Sequence, residues 1–521
     1  MMSDKSQRNR LGSGRTVAFR TILALLLVLA LVLPVRPIFS GGDPAYLEFE
    51  DVGDGVKLAF DELSLPSRNT RVRLLTENVK SWYARWYIMQ NAKVSIDTTY
   101  FILEHDVFGD AFVGLLLKKA QEGISVRLMI DARGSTFFAS RFTGGQDYLQ
   151  ELVEAGAEVK IFNPILEGLP ELPCRLKYFM SSNHDKIIIV DGQFIITGGR
   201  NIADHYFVAP SDDPTVYRDT DVIMEGEFIG RSMTEAFQEE FYSLDNYTVD
   251  EDMLGNWFSK SYHLLAAEKA MDAWMNGGQL YEPTGDYQDD PSIYNEDLVK
   301  YQSITTYEGY IPFHGDRFFP IKIMDKHSIA GDRNDITDSI VKLMDAAEKE
   351  ILIQNPYVVL TDKAKAALQR ANDRGVKIII HTNSPISTDN LLTQAFFLAD
   401  WFDLQVAMPN MEVWVFTGDR KLHAKVFVFD RKIATIGTYN LDSMSEQINS
   451  EVLACINSGS FAMRTALRIM DDIKDSKQYT LALSKDGRVP VELFGPATIA
   501  KGRLKLILDF LAQIKWLRAL I

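Results

Sequence analysis

Cysteine is almost missing from this chain: Cys174 and Cys455 are its only two in 521 residues. Two distant thiols exclude a disulfide framework and a four-ligand zinc site, although the pair could meet in the fold. Positive charge is also in deficit. Lys and Arg total 55 against 71 Asp and Glu, a net charge of -16. Such a surface repels a polyanion unless its cations gather in one cleft, which disfavours nucleic acid as a partner. The eight histidines are few, and six of them (His105, His205, His263, His314, His327, His381) show no ligand spacing to each other or to a cysteine, so no metal site is expected. What is present is ordinary for a globular protein, 46% apolar and 24% charged, and wholesale disorder is excluded. The length exceeds what one hydrophobic core supports, so two domains are the default.

Long apolar runs are rare as well, and the exception is at the amino terminus. Lys5, Arg8, Arg10, Arg15 and Arg20 outweigh Asp4 and precede an unbroken run from Ile22 to Leu33, closed by Pro34. A basic flank before a hydrophobic stretch reads as an export signal whose basic side stays in the cytosol. Val17, Ala18 and Phe19 lengthen the run if Arg20 snorkels to the headgroups. Residues 1–42 are therefore expected to be a membrane anchor, with cleavage near Ser40, Gly41 and Gly42 as the alternative. The remainder is expected on the extracytoplasmic side.

Two stretches read alike. Val94 to Phe101 is a strand candidate, Asp110 to Glu122 a helix stopped by Gly123, and Val126 to Ile130 a buried strand. Glu350 to Tyr357, Asp362 to Arg374 with Gly375, and Val376 to Ile380 repeat that order. Strand, helix, glycine and strand, twice, is a duplicated βαβ unit, and it implies an α/β protein with a mixed sheet covered on both faces. The expected division is a first lobe at 43–245, an irregular interlobe insertion at 246–335 and a second lobe at 336–521. The second lobe ends in a helix flanked by Lys501, Arg503, Lys505, Lys515 and Arg518, able either to lie on anionic lipid or to dock on the lobe.

The chemistry lies late in each copy. His184-Asp-Lys186 is followed by four apolar residues, Asp191, and then Gly198-Gly199-Arg-Asn201. His423-Ala-Lys425 is followed by four residues, Asp430, and then Gly437-Thr438-Tyr-Asn440. A single His-x-Lys-x4-Asp arises by chance in roughly 0.03 of such chains; two, with the same Gly-x-x-Asn sequel, are not coincidence. His and Lys two apart on a strand share a face and reach one pocket. The glycines would allow close approach to a phosphate, and the Asn amides could donate to it. Two half-sites would then make an in-line displacement centre without a metal or cofactor. One neutral histidine attacks phosphorus and the other, protonated, serves the leaving alkoxide. Each imidazole also needs a partner on its far nitrogen. Asp219 and Glu451, on strand candidates at similar distances after each histidine, are the choices, with Asp221 able to replace Asp219.

These paired motifs resemble the HKD signature of the phospholipase D superfamily over roughly Arg71 to Asn457. Gly198 to Phe207, Tyr217 to Val222 and Gly437 to Asp442 are similar to stretches of its cardiolipin synthase-like members. The resemblance implies a duplicated α-β-α-β-α sandwich, two pseudo-twofold lobes around one active site, and an N-terminal nucleophile, here His184. It further implies a phosphatidyl group as the transferred unit, hence a phospholipid substrate, a membrane partner, and an alcohol or water as acceptor. One departure is Met444 before Ser445, where the family has Arg before Ser. Two other functions fit the motifs less well. A nuclease of the same chemistry conflicts with the acidity and the export segment, and a non-catalytic scaffold has no need of two complete motifs.

Overall fold

A computed structural model describes residues 53–140, 144–164, 176–242, 246–249, 261–282, 292–315, 317–329, 331–484 and 490–520. The expected anchor at 1–42, Trp257 and Cys174 lie outside these residues. Among the described residues no helix is long and apolar enough to cross a membrane.

Sixteen strands form one mixed sheet whose two halves repeat one order. The first half uses β1 (Arg68–Leu75), β2 (Ser95–Tyr100), β3 (Ser125–Asp131), β4 (Glu158–Phe162), β5 (Lys186–Val190) and β6 (Phe194–Gly198). It continues through β7 (Tyr217–Arg218), outside the main sheet, to β8 (Asp221–Glu225) and β9 (Asn246–Thr248). The second uses β10 (Phe318–Lys326), β11 (Glu350–Gln354), β12 (Lys377–Asn383) and β13 (Met411–Phe416). After β14 (Lys421–Leu422), also outside the sheet, come β15 (Val426–Phe429), β16 (Ile433–Gly437), β17 (Glu451–Asn457) and β18 (Ser476–Gln478). Reading outward from the centre gives 1-8-6-5-2-3-4-9 on one side and 10-17-16-15-11-12-13-18 on the other. Antiparallel pairing of β1 with β10, from Arg68↔Ile321 to Arg71↔Phe318, joins them. The βαβ units read from sequence are the parallel pairs β2/β3 and β11/β12. Gly123 and Gly375 both sit at φ +84, the left-handed turn that ends each crossover helix.

The helices used below are α1 (Asn78–Gln90), α2 (Val107–Gln121), α3 (Glu227–Phe241), α4 (Ser261–Met275), α5 (Asp362–Asp373), α6 (Leu391–Ala407), α7 (Gly459–Ile473) and α8 (Gly502–Gln513). Strands buried on both faces need near-continuous apolar runs, and β15 and the part of β5 after Lys186 have them. Ile187 and Ile189 join Val426, Val428, Ala434 and Ala454 in an inner core that includes α3 and α7. There β16 packs against β6 and β8, so the halves of the sheet face each other. Ile188 and Val190 turn the other way, to α1, α2 and α4. Phe427 and Phe429 turn to α5 and Trp401 of α6.

The stretch expected to be an insertion is built into the fold. Its helix α4 lies along α2, with Leu264, Ala267 and Met271 buried in the first half's core. Its last part is β10, a central strand paired with β1 and β17. Buried Lys322, Asp325 and Lys326 interrupt the apolar pattern of β10 and hide it from periodicity. The terminal helix α8 docks through Leu508 onto Ala395 of α6. Its other side leaves Leu506 70% and Phe510 64% exposed, with Trp516 just beyond at 65%.

Candidate active site

Both His-x-Lys motifs enter a central strand, and all four side chains are buried. The Lys186 ammonium donates to the His184 carbonyl (2.7 Å). The Lys425 ammonium donates to the His423 carbonyl (2.6 Å) and flanks the ring, 3.0 Å from each nitrogen. Lys186 also lies 5.2 Å from the ring of Phe101, which packs edge-on against His184.

Asp191 and Asp430, expected among the catalytic residues, do something else. Each opens a tight hairpin turn in the left-handed region, at φ 53 and φ 49. Such primed turns match strand twist, and Asp tolerates the conformation. The Asp191 carboxylate accepts from the N–H groups of Lys93, Val94 and Ser95 (2.7–3.1 Å). Asp430 accepts from those of Glu348, Lys349 and Glu350 (2.8–2.9 Å). They pin the far end of each strand, about 17 Å from the lysine at ~3.3 Å per residue.

The two orienting acids are buried where they were expected, but crossed. His184 Nδ1 lies 2.9 and 3.0 Å from the oxygens of Glu451, in the other half of the chain. His423 Nδ1 lies 2.8 Å from Asp219 Oδ2, again across the halves. In each ring the bond puts hydrogen on Nδ1 and leaves Nε2 for chemistry. Main-chain contacts enforce the exchange. The His184 N–H donates to Ser450 Oγ (3.2 Å), and the His423 N–H to the Arg218 carbonyl (2.9 Å), beside the parallel pairing of β14 with β7.

Of the residues expected to form a phosphate loop, Gly199 and Thr438 face these acids, while Gly198 and Gly437 make room for neighbouring strands. A Cβ at Gly198 would stand 2.2 Å from Asp221 Oδ1, and one at Gly199 would stand 2.0 Å from Asp219 Oδ1. Gly437 gives the same clearance to the Val452 carbonyl, at 2.1 Å. Thr438 and Ser445 hydroxyls each donate to Glu451 at 2.5 Å. Ser445 thus reaches Glu451 with Met444, not Arg, before it. Asn201 donates to the Tyr206 hydroxyl (3.0 Å) and accepts from the Ile102 N–H, which leaves one amide hydrogen unused. The Asn440 main-chain N–H donates to Ser445 Oγ (3.1 Å). Asp221 serves no histidine; Ser81, Arg85 and Arg200 bind it.

The electrostatics separate the two histidines. Burial, then the charges of Lys186, Lys425 and His423, push His184 well below its usual range, so its ring is neutral. Burial and Lys425 also lower His423, but the bond to Asp219 pulls it back toward the charged form. Burial alone would raise Asp219; the His423 bond, with Lys425 and Arg200, holds it below the usual carboxylate range. Burial lifts Glu451 to about 7, against the pull of Lys186, Ser445 and Thr438. Lys186 falls to about 7 and Lys425 to about 8, mainly by burial. Two histidines, two cations and two crossed acids in one desolvated centre are equipped for nucleophilic displacement with acid assistance at a phosphate.

Several functional residues carried little sequence signal. Arg200 is fully buried and donates to the Asp219 carbonyl (2.8 Å), fixing the link between β7 and β8 that holds the acid. Arg218 is clamped by Asp472 of α7 at 2.8 and 2.9 Å. Tyr206 and Tyr217 stack on each other and both flank His423 at 5.4 Å. Asp389 accepts from the hydroxyls of Tyr217 (3.1 Å) and Tyr357 (2.8 Å) and ties this aromatic wall together. The Tyr-Arg-Asp and Asp-His-Tyr-Phe strings could have pointed to the wall, but nothing local marks Asp389 or Asp472. Elsewhere Glu239, Asp325 and His327 bring donor atoms within 4.8 Å of one another. Arg333 stands 3.1 Å from Glu239 and 3.6 Å from Asp325, and bonds to Asp325 and Glu239 raise His327 to about 9, so protein cations meet this negative field.

Residues 87–242 and 340–471 match the family described as cardiolipin synthase, phospholipase D-like domain. Cardiolipin synthase 1 of Bacillus anthracis is 25% identical over 411 residues, 78% of this chain and 67% of that protein. Cardiolipin synthase C of Escherichia coli is 26% identical over 451 residues, 80% of this chain and 87% of the relative. The crystal structure of a phosphatidylserine synthase from Haemophilus influenzae Rd KW20 superposes with a TM-score of 0.59 at 14% identity, covering 90% of this chain and all of that one. That likeness concerns the fold alone.

Proposed function

We propose, from the premise that the chain belongs to the cardiolipin synthase family of phospholipase D-like domains, that it is a phosphatidyltransferase acting on glycerophospholipids. The observation that carries the reading is the pair of crossed histidine–acid contacts with both lysines in the same buried centre.

The mechanism follows from the charges. His184, neutral and with its hydrogen on Nδ1, attacks phosphorus through Nε2. His423, whose imidazolium form ionised Asp219 favours against burial and Lys425, donates its proton to the departing alkoxide as the phosphorus–oxygen bond breaks. Lys186 and Lys425, with the free amide hydrogen of Asn201 and the amide of Asn440, stabilise the equatorial oxygens. The incoming alcohol then gives its proton to His423 and displaces His184. The wall of Tyr206, Tyr217 and Tyr357 restricts water at His423, which favours transfer to an alcohol over hydrolysis. No step calls for a metal or cofactor.

Membrane attachment is part of this reading. The apolar run before Pro34 anchors the chain with the enzyme outside the cytosol, and the bare apolar side of α8 lies against the bilayer. The test is direct. The full chain, given phosphatidylglycerol vesicles, should form a diphosphatidyl product detected by lipid mass spectrometry, and His184→Ala should form none. Release of free phosphatidate alone would mark a hydrolase and overturn the transferase reading.

A further inference from the structure

A second centre of positive charge lies away from the histidines. Strand β1 runs past the start of β10. Its pairing with β10 ends at Arg71↔Phe318, with the Val72 N–H still donating to the Arg317 carbonyl, whereas its pairing with β8 continues to Leu75↔Asp221. The edge left uncovered, Val72 to Leu74, is one wall of a cavity of about 350 Å³. Phe313, His314, Gly315 and Arg317, with Phe461 and Arg464 of the first turns of α7, supply the other walls. That volume is at the small end for ligand sites, about 300–1,000 Å³.

The described lining contains four arginines, Arg71, Arg73, Arg317 and Arg464, and no carboxylate. Arg71 is paired with Glu225 at 2.9 Å. Arg73 is held by the carbonyls of Ile311 and Pro312. No described acid pairs with Arg73, Arg317 or Arg464, and the charge of Arg317, after burial, makes Arg464 harder to keep protonated. Exposed arginines ordinarily splay into water. Here main-chain carbonyls fix Arg73, and the rings of Phe313 and Phe461 lie 4.8 and 5.9 Å from the guanidinium carbons of Arg71 and Arg464. On a chain of net charge -16, this concentration of cations around a hollow is what an anion would offset. Guanidinium forks match the paired oxygens of phosphate.

We propose that this cavity is a second phosphate-binding site, distinct from the catalytic one, for a phosphomonoester or diphosphate group. It shares no lining residue with the histidine centre. Glu451 opens β17 and Phe461 lies beyond its far end; the six residue steps from Glu451 to Asn457 alone span about 20 Å. The group could belong to a soluble metabolite or to a lipid headgroup, and the chemistry of recognition is the same.

The experiment uses the full chain in detergent with pyrophosphate as probe, in a His184→Ala/His423→Ala background that silences turnover. Titration calorimetry should find a site that Arg317→Gln/Arg464→Gln weakens roughly tenfold or more, the loss of two charge-assisted contacts. With both histidines intact, the same arginine variant should unfold at the wild-type temperature and turn over a soluble phosphodiester at the wild-type rate. Unchanged affinity and stoichiometry would overturn the proposal, as would loss of affinity matched by loss of fold. Flotation with phosphatidate vesicles distinguishes the sources. Weakened vesicle binding alongside weakened pyrophosphate binding assigns the site to lipid, and unchanged vesicle binding assigns it to a soluble phosphate.

Discussion

Replacing each orienting acid by its amide should split the reaction in a way that only crossed wiring produces. Glu451 accepts three bonds, from His184 Nδ1 and from the hydroxyls of Thr438 and Ser445. In Glu451→Gln the charge-assisted bond to His184 is lost, worth about 1.5–3 kcal/mol, or roughly 10- to 150-fold in rate at about 1.36 kcal/mol per tenfold. If the new amide turns its N–H₂ toward the ring, Nδ1 must accept, the hydrogen moves to Nε2, and attack is blocked. A wrong tautomer of this kind costs about 10⁴ in a catalytic triad. The loss should therefore fall between about 10- and 10⁴-fold. It should appear as failure to form phosphohistidine on His184, measured by quenched mass spectrometry with a nitrophenyl phosphodiester. Asp219→Asn disables His423 instead. With so good a leaving group, the intermediate should form and then persist, because its resolution still needs a base. The reverse pattern, with adduct blocked by Asp219→Asn and stable in Glu451→Gln, would refute the crossed assignment. Equal and small effects of both would refute the orienting role altogether.

Three further outcomes are expected. Asp191→Asn and Asp430→Asn should lower the thermal midpoint, since each carboxylate accepts three main-chain N–H groups, yet leave kcat/KM of the folded enzyme within about threefold; a selective loss of turnover would return these acids to the chemistry. In the free enzyme Lys186 near 7 and Lys425 near 8 must be protonated to act, so kcat/KM should fall as pH rises through 7 to 8 and not only above 10; a flat profile to pH 9 would contradict the buried-lysine picture. Phe510→Ser/Trp516→Ser should reduce flotation with anionic vesicles while a soluble diester is turned over normally; unchanged flotation would show that α8 does not touch lipid.

Features carried by contiguous residues were legible in the sequence, and features made by the meeting of distant segments were not. The spacing of His184 and Lys186, the four apolar residues behind them and the turn at Asp191 are local, and each maps onto β5 and its hairpin. Asp219 and Glu451 were legible as candidate partners because each lies beside an apolar strand, Asp219 just before β8 and Glu451 at the start of β17. Which histidine each serves was not legible, because that depends on how the halves of the sheet face each other. Asp191 misled through its place in the motif: its invariable spacing serves the turn, not the phosphate. At Gly199 close approach to a phosphate is the sequence expectation, whereas the group against it is the Asp219 carboxylate. β10 was missed because its buried Lys322, Asp325 and Lys326 look like surface.

The exchange of acids between the halves has a developmental corollary. Either half alone would carry a histidine without its acid and an acid without its histidine, so neither could have worked as a monomer. A single unit with this geometry would be complete only as a self-associated pair, each copy supplying the acid for the other's histidine. Joining two such units in one chain removed the need for them to be identical. The longer Glu451, with Thr438 and Ser445 around it, could then depart from the shorter Asp219, with Gly199 beside it. In the proposed mechanism one imidazole attacks and the other hands over a proton, and unlike acids behind them give that division of labour a fixed structural basis.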